Sequence, residues 1–315
     1  MSLVALGRSV LPLDGAGVNI DDVGGKAAGL DHLASYGFPI PSSYVITVGA
    51  YQRSVALAGL SPWIADLAMR PAPNPHDLRA EIDDIEDAFR AITLEAGLRR
   101  EIETAAAKLL ARGRVAVRSS ATAEDLGVAS FAGQYRTFTR IDDIDGAIDA
   151  VKRCWASLWL PAAREYRFRH SVSSSGLAMA VVLQSLLEAD WSGVGFTIDP
   201  ASDRRSMRVE MVSGLGEALV SGHVTPVDFS IRRDTLEITS SDPGSQPLRI
   251  IEDLARMMLQ VETRFDEPQD IEWAAVGSDL VLLQARPVTV VGPRSLFDDG
   301  FDEPVNSRDE FTPHG

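Results

Sequence analysis

Hydrophobic spacing divides the chain into two textures. Apolar residues recur at helical intervals from Lys26 to Tyr36, from about residue 50 to 68, and from Asp77 to about Ala111. The prolines of FPIPSS separate the first helix from a strand-like stretch at Tyr44–Thr47, because proline disfavours helix and fixes a turn. A proline-rich linker, RPAPNPHD, follows at 70–77, with Asp77 placed to cap the next helix. Arg114–Arg118 then alternates like a strand and runs into a loop of small residues, and residues 145–170 form one long helical pattern.

The second texture begins after the polar joint SVSSSG (171–176). MAVVLQSLL (179–187) is an apolar strand, and shorter strands are expected at 193–198, 208–212 and 228–231, with turn residues between them. Residues 250–265 predict a helix and Asp270–Arg286 a closing hairpin. The chain therefore reads as one lobe over 1–175, a second over 176–290, and a tail over 291–315 with six acids against two arginines. That tail has the composition of a linker or docking peptide.

Composition narrows the chemistry. A formal net charge of −15 argues against a nucleic-acid partner, because affinity there comes from cations on phosphates. ATP remains possible if a few cations converge locally. Cys154 is the single cysteine, so no internal disulfide and no cysteine metal cage can form. The five histidines lack metal spacing, and no apolar run reaches membrane-spanning length, which makes a cytoplasmic location the expectation.

Two motif matches fail. GGK at 24–26 has Ile20 where a P-loop needs its first glycine and Ala27 where it needs Ser or Thr. GLGEAL at 214–219 has Leu219 where a dinucleotide fingerprint needs glycine. Three other pieces carry chemistry. In VGGKAAGL, two glycines and a helix start leave backbone N–H groups beside Lys26, which suits an anion; the ordinary alternative is a glycine turn with a solvated lysine. In VAVRSSATAEDLGVASFAGQYRTF, Arg118 ends a strand, Ser119, Ser120 and Thr122 supply hydroxyls, and the small residues to Gly133 make a cover that suits a triphosphate; the ordinary alternative is a Ser-rich surface loop. In DIEWAAVGSDLVLLQARPVT, a turn on residues 277–279 sets Glu272 opposite Gln284 and Asp270 opposite Arg286. Carboxylate, amide and guanidinium on one patch can hold Mg²⁺ and phosphate together; a register shifted by one scatters them.

Weaker candidates are Glu210 and Glu217, for ribose or metal, and Gln184, for the adenine edge. A lone strand glutamine is more often structural, and the acids near glycine turns are as readily solvent-facing.

VGGKAAGL, PIPSSYVIT, the long arginine–serine run, SGVGFTIDP, GLGEALVSG, PQDIEWA and LLQARPVT occur in the order that resembles the nucleotide-binding domain of phosphoenolpyruvate synthase, pyruvate phosphate dikinase and rifampicin phosphotransferase. The resemblance covers about residues 15–290, with PIPSSY departing from the usual proline–glycine–phenylalanine ending. It implies an α+β, two-lobed ATP-grasp fold with ATP and Mg²⁺ between the lobes. It also implies transfer of the β-phosphoryl to a histidine on a separate domain or subunit, with release of AMP and phosphate. By that resemblance Lys26, Arg118 and Arg286 would handle phosphates, Glu272 would hold Mg²⁺ with Gln284 beside it, and Thr137 and Gln134 would be minor contacts. The partners implied are a phosphohistidine domain and an acceptor-binding domain for pyruvate, a rifamycin or another hydroxyl compound. Two other classes stay open: a carboxylate–amine ligase releasing ADP, and an ATP-binding regulatory module without chemistry.

Overall fold

The computed structural model describes residues 8–71, 73–74, 76–122, 135–174, 176–199, 205–214, 225–240 and 247–288. Most of the small-residue loop with Gln134, Glu217 and the acidic tail lie outside the described residues.

Two antiparallel sheets organise the described residues. The first has the order β1-β2-β5-β3-β4, with β1 at Val10–Pro12, β2 at Ser43–Ile46, β3 at Val115–Ala121, β4 at Thr137–Ile141 and β5 at Met179–Ser185. Helices α1 (Ile20–Ser35), α2 (Val48–Leu57), α3 (Ser61–Met69), α4 (Leu78–Arg90), α5 (Ala96–Leu110), α6 (Ile144–Ser157) and α7 (Pro161–Arg169) surround it. The second sheet has the order β11-β10-β6-β7-β8-β9, with β6 at Trp191–Phe196, β7 at Ser206–Ser213, β8 at Val227–Arg232, β9 at Ile238–Ser240, β10 at Gln269–Val276 and β11 at Asp279–Pro287. Helix α8 (Leu248–Phe265) covers one face of it. The α+β class and the pair of lobes agree with what an ATP-grasp fold implies.

Several expected elements are divided more finely. The helical pattern at 145–170 is two helices, because Pro161 opens α7 after an extended Leu160. The pattern at 50–68 likewise splits at Gly59, which takes a left-handed φ of 69°. The expected division after residue 175 would put β5 in the second lobe. In the structure β5 is the central strand of the first sheet, paired with β2 and β3, so the sheets change over between Ser185 and Trp191. The polar joint before it only links a helix to a strand. Strands β1, β4 and β9 lie outside the expected set: β1 and β9 have three residues each and carry little periodic signal, and β4 follows the loop that dominates its neighbourhood.

Each lobe has its own core, and α1 serves both. Val23, Ala27 and Leu30 are buried in the first core, while Leu33 belongs to the second with Val209, Phe229, Ile271, Trp273 and Leu282. In α8, Ile251, Leu254, Ala255, Met258 and Val261 form the buried stripe, the spacing expected of an amphipathic helix on a sheet. The Leu282 amide donates to the Pro39 carbonyl at 2.8 Å, fastening the loop after α1 to β11.

Candidate functional site between the two sheets

Alternation along the strands of the second sheet separates a core face from a polar face. Ile271, Trp273, Met207, Val209, Met211, Phe229 and Ile231 are buried in the core. Opposite them, cross-strand pairing lines up Gln284, Glu272, Val194, Glu210 and Asp228 in one row and Arg286, Asp270, Phe196 and Arg208 in the next.

The hairpin reaches this arrangement by an unexpected route. Its turn has two residues, with Val276 paired to Asp279 and Gly277 at φ 60°. The expected three-residue turn on 277–279 is therefore corrected: Asp279 is in the strand. A two-residue turn run straight on would put Leu283 opposite Glu272 and turn Gln284 towards the core. An irregularity between Glu272 and Trp273, where β11 advances from Leu282 to Gln284, absorbs one residue and restores the pairs Glu272–Gln284 and Asp270–Arg286.

Arg118 reaches this face from the first sheet. Its Nη2 donates to Glu272 Oε2 at 2.6 Å and to Gln284 Oε1 at 3.3 Å, while Nη1 lies 3.5 Å from the carbonyl oxygen of the bulged Leu283. The Arg118 and Glu272 side chains are 13% and 14% exposed, so the pair is largely shielded from solvent. Burial alone pushes the Glu272 carboxyl up, but the charge and hydrogen bond of Arg118, helped by Lys26 and Arg286, hold it below the usual carboxylate range. Arg286 is fastened in turn to Asp270, with Nε and Nη2 at 2.9 and 2.8 Å from Oδ2.

Lys26 arrives on α1. Gly24 interrupts that helix with φ 73° and ψ 171°, so Lys26 sits in the first turn of the segment that continues. Two glycines allow α1 to lie between the sheets. A Cβ on Gly24 would stand 2.3 Å from the Ser120 carbonyl oxygen, and one on Gly29 would stand 2.9 Å from the Ala285 carbonyl oxygen. The helix thus contacts the strands of both Arg118 and Arg286.

The remaining candidates sort by strand face. Thr137 pairs directly with Arg118 and shares its face. Gln184 lies on that face as well, paired with Ala116 and Ser43, but it is buried and its Nε2 is 3.3 Å from the Ser43 hydroxyl. Ser119 alternates to the opposite face, where its buried hydroxyl has no hydrogen-bond partner among the described residues. Glu210 is buried on the polar face beside Arg208, which is 3.2 Å away. Burial raises its carboxyl above the usual value more than Arg208 lowers it. Arg208 also holds Asp228 at 2.8 Å. Arg208 and Asp228 escaped the sequence reading, although their alternation with Val209 and Phe229 was a usable signal.

Among the described residues, no group of three or more His, Cys, Asp or Glu is arranged to hold a metal alone. The oxygens of Glu272 and Gln284 do converge on one Arg118 nitrogen. Two such oxygens suit Mg²⁺, which is usually bound by one or two protein ligands with phosphates and waters completing its shell.

The family model described as "Pyruvate phosphate dikinase, AMP/ATP-binding domain" matches residues 20–253 and 248–296. A probable phosphoenolpyruvate synthase from Methanothermobacter thermautotrophicus is 33% identical over 307 residues, covering 86% of this chain and 45% of that protein. A rifampicin phosphotransferase from Streptomyces sviceus is 34% identical over 303 residues, covering 86% of this chain and 34% of that protein. The chain thus spans less than half the length of these two relatives. No helix among the described residues is long and apolar enough to cross a membrane.

Proposed function

The chain belongs to the pyruvate phosphate dikinase AMP/ATP-binding family, and from that premise we propose that it binds Mg²⁺-ATP between its two sheets and passes the β-phosphoryl to a histidine on another domain or subunit. The observation carrying this reading is the meeting of Arg118, Glu272 and Gln284 across the two sheets, with Arg286 and Lys26 in electrostatic reach of Glu272.

Phosphoryl transfer needs positioning and charge stabilisation more than covalent chemistry from the protein. Lys26 supplies a point charge at a helix start. Arg118 and Arg286 supply planar forks that match phosphate oxygens. Glu272 and Gln284 would hold Mg²⁺, which when bound neutralises charge on bridging phosphate oxygens. Because Glu272 stays ionised, it holds Arg118 in place before nucleotide arrives; with nucleotide present, Arg118 would turn to the phosphates and leave Glu272 for the metal. A histidine nitrogen attacks the β-phosphorus, the bond to the α-phosphate oxygen breaks, and AMP leaves. Water then releases the γ-phosphate and leaves a phosphohistidine. Thr137 is a minor phosphate contact, and Glu210 and Gln184 belong to the nucleoside side. Pyruvate, a rifamycin or another hydroxyl compound would be the final acceptor, held by a further domain.

The test uses the chain with Mg²⁺, a histidine-bearing domain from a full-length relative, and ATP labelled at the β or the γ position. Label on histidine that survives only from the β position supports the proposal, together with AMP as product. ADP formation with a carboxylate and an amine would instead identify a ligase, and binding without AMP formation a regulatory module.

A further inference from the structure

We propose that Ser120 is a positioning residue that sets the place of Lys26 relative to Arg118. A continuous α-helix pairs the Ala27 amide with the Val23 carbonyl, four residues back. The break at Gly24 opens α1 at that point, and Ser120 enters from β3. Its Oγ accepts from the Ala27 amide at 3.1 Å and donates to the Val23 carbonyl at 2.7 Å, bridging the two groups that the helix would join directly. A side chain inserted into the helix ladder is a recognised cause of a kink. Here the inserted group belongs to a strand 93 residues away from Ala27 in sequence.

Three further features fit this role. Ser120 is fully buried, so its hydroxyl is not exchanging these partners for solvent. Gly24 lies so close to β3 that a Cβ would stand 2.7 Å from the Ser120 hydroxyl oxygen itself. By strand alternation Ser120 is on the same face as Arg118, two residues along. The hydroxyl thus joins the strand that carries one phosphate-binding cation to the helical turn that carries the other. Lys26 and Arg118 both act on the Glu272 carboxylate, so their separation matters to a shared ligand.

This inference rests on Lys26 being a phosphate ligand, and the experiment separates the two claims. Mg²⁺-ATP affinity of the full chain is measured by calorimetry for the parent, Ser120→Ala, Lys26→Ala and the double variant, with the nucleotide-free unfolding midpoint of each. Losing the bridge should weaken affinity about five- to tenfold, the range of one or two net hydrogen bonds. In the Lys26→Ala background the same change should have no further effect, because the residue being positioned is gone. An equal loss in both backgrounds, or no loss in the parent, overturns the role of Ser120. Unchanged affinity in Lys26→Ala alone overturns the reading of Lys26 instead. Should the alanine variant unfold, Ser120→Cys, which keeps a weaker donor and acceptor, takes its place in the cycle with the same outcomes.

Discussion

Arg118 and Glu272, 154 residues apart and on different sheets, approach to 2.6 Å and bind each other through a shielded ion pair. This contact joins the lobes at the place where the proposed phosphate and metal ligands meet. Removing one member of such a pair is worse than removing both, because the survivor keeps its desolvation cost. Arg118→Ala should cost about 3 kcal/mol of stability. Glu272→Gln in that background should recover part of it, with a coupling of about 1–3 kcal/mol. Urea denaturation of the four proteins measures this; additive losses would show that the pair is not coupled.

Two glutamates on one sheet face should respond to acid in opposite directions. Glu272 has its carboxyl lowered in the fold, so its contribution is present above the unfolded value of about 4.5 and fades as pH falls below it. Glu210 has its carboxyl raised, so its ionised form burdens the fold at neutral pH and the burden disappears on acidification. Glu210→Gln should therefore raise the unfolding midpoint at pH 7, and Glu272→Gln should lower it. The Glu210 difference should shrink as pH falls towards 4.5, and the Glu272 difference as pH falls below 4.5. Thermal scans across pH 3–8 give the comparison.

Gly24→Ala combines two penalties, a positive φ and a Cβ 2.3 Å from the Ser120 carbonyl oxygen. Gly59→Ala meets only the first, since nothing lies within 4 Å of its would-be Cβ. The Gly59 variant should lose about 1 kcal/mol. The Gly24 variant should lose about 2–4 kcal/mol, and nucleotide affinity with it. Equal losses in denaturant titrations would mean that α1 retreats from β3 at no cost.

Glu272→Gln and Gln284→Ala should each raise the Mg²⁺ concentration needed for half-maximal ATP binding by about tenfold, the lower range for altered metal-site residues. Binding of ATP in the absence of Mg²⁺ should change less. Magnesium titrations at fixed ATP test this, and a shift no larger than that of Ser119→Ala, which lies on the other face of β3, would remove both residues from the metal site.

Much of this was visible in the residues themselves. Alternating Val209/Glu210 and Ile271/Glu272 in the second lobe announce strands with one apolar and one polar face, because side chains in a strand project with a period of two. The glycines around Lys26 mark a backbone that must bend or approach something closely. The ordered set of motifs pointed to the family that the comparison found. Local sequence could not show what Gly24 and Gly29 approach, because the Ser120 and Ala285 carbonyls come from distant strands. Nor could it show that Ser119 and Arg118, neighbours in one motif, face opposite ways.

The hairpin marks the boundary most clearly. Residue types and spacing alone put Asp270, Glu272, Gln284 and Arg286 on two strands joined by a glycine turn. That the four share a face follows from the pairing in the folded chain. A two-residue turn alone would have reversed β11, and the bulge at Leu283 reverses it back. One residue of slack changes every side chain from one side to the other, and nothing in a strand's own spacing says where that slack is taken. It is settled by neighbours: the apolar side chains packed beneath α8, and Arg118 reaching from the other sheet to the Leu283 carbonyl.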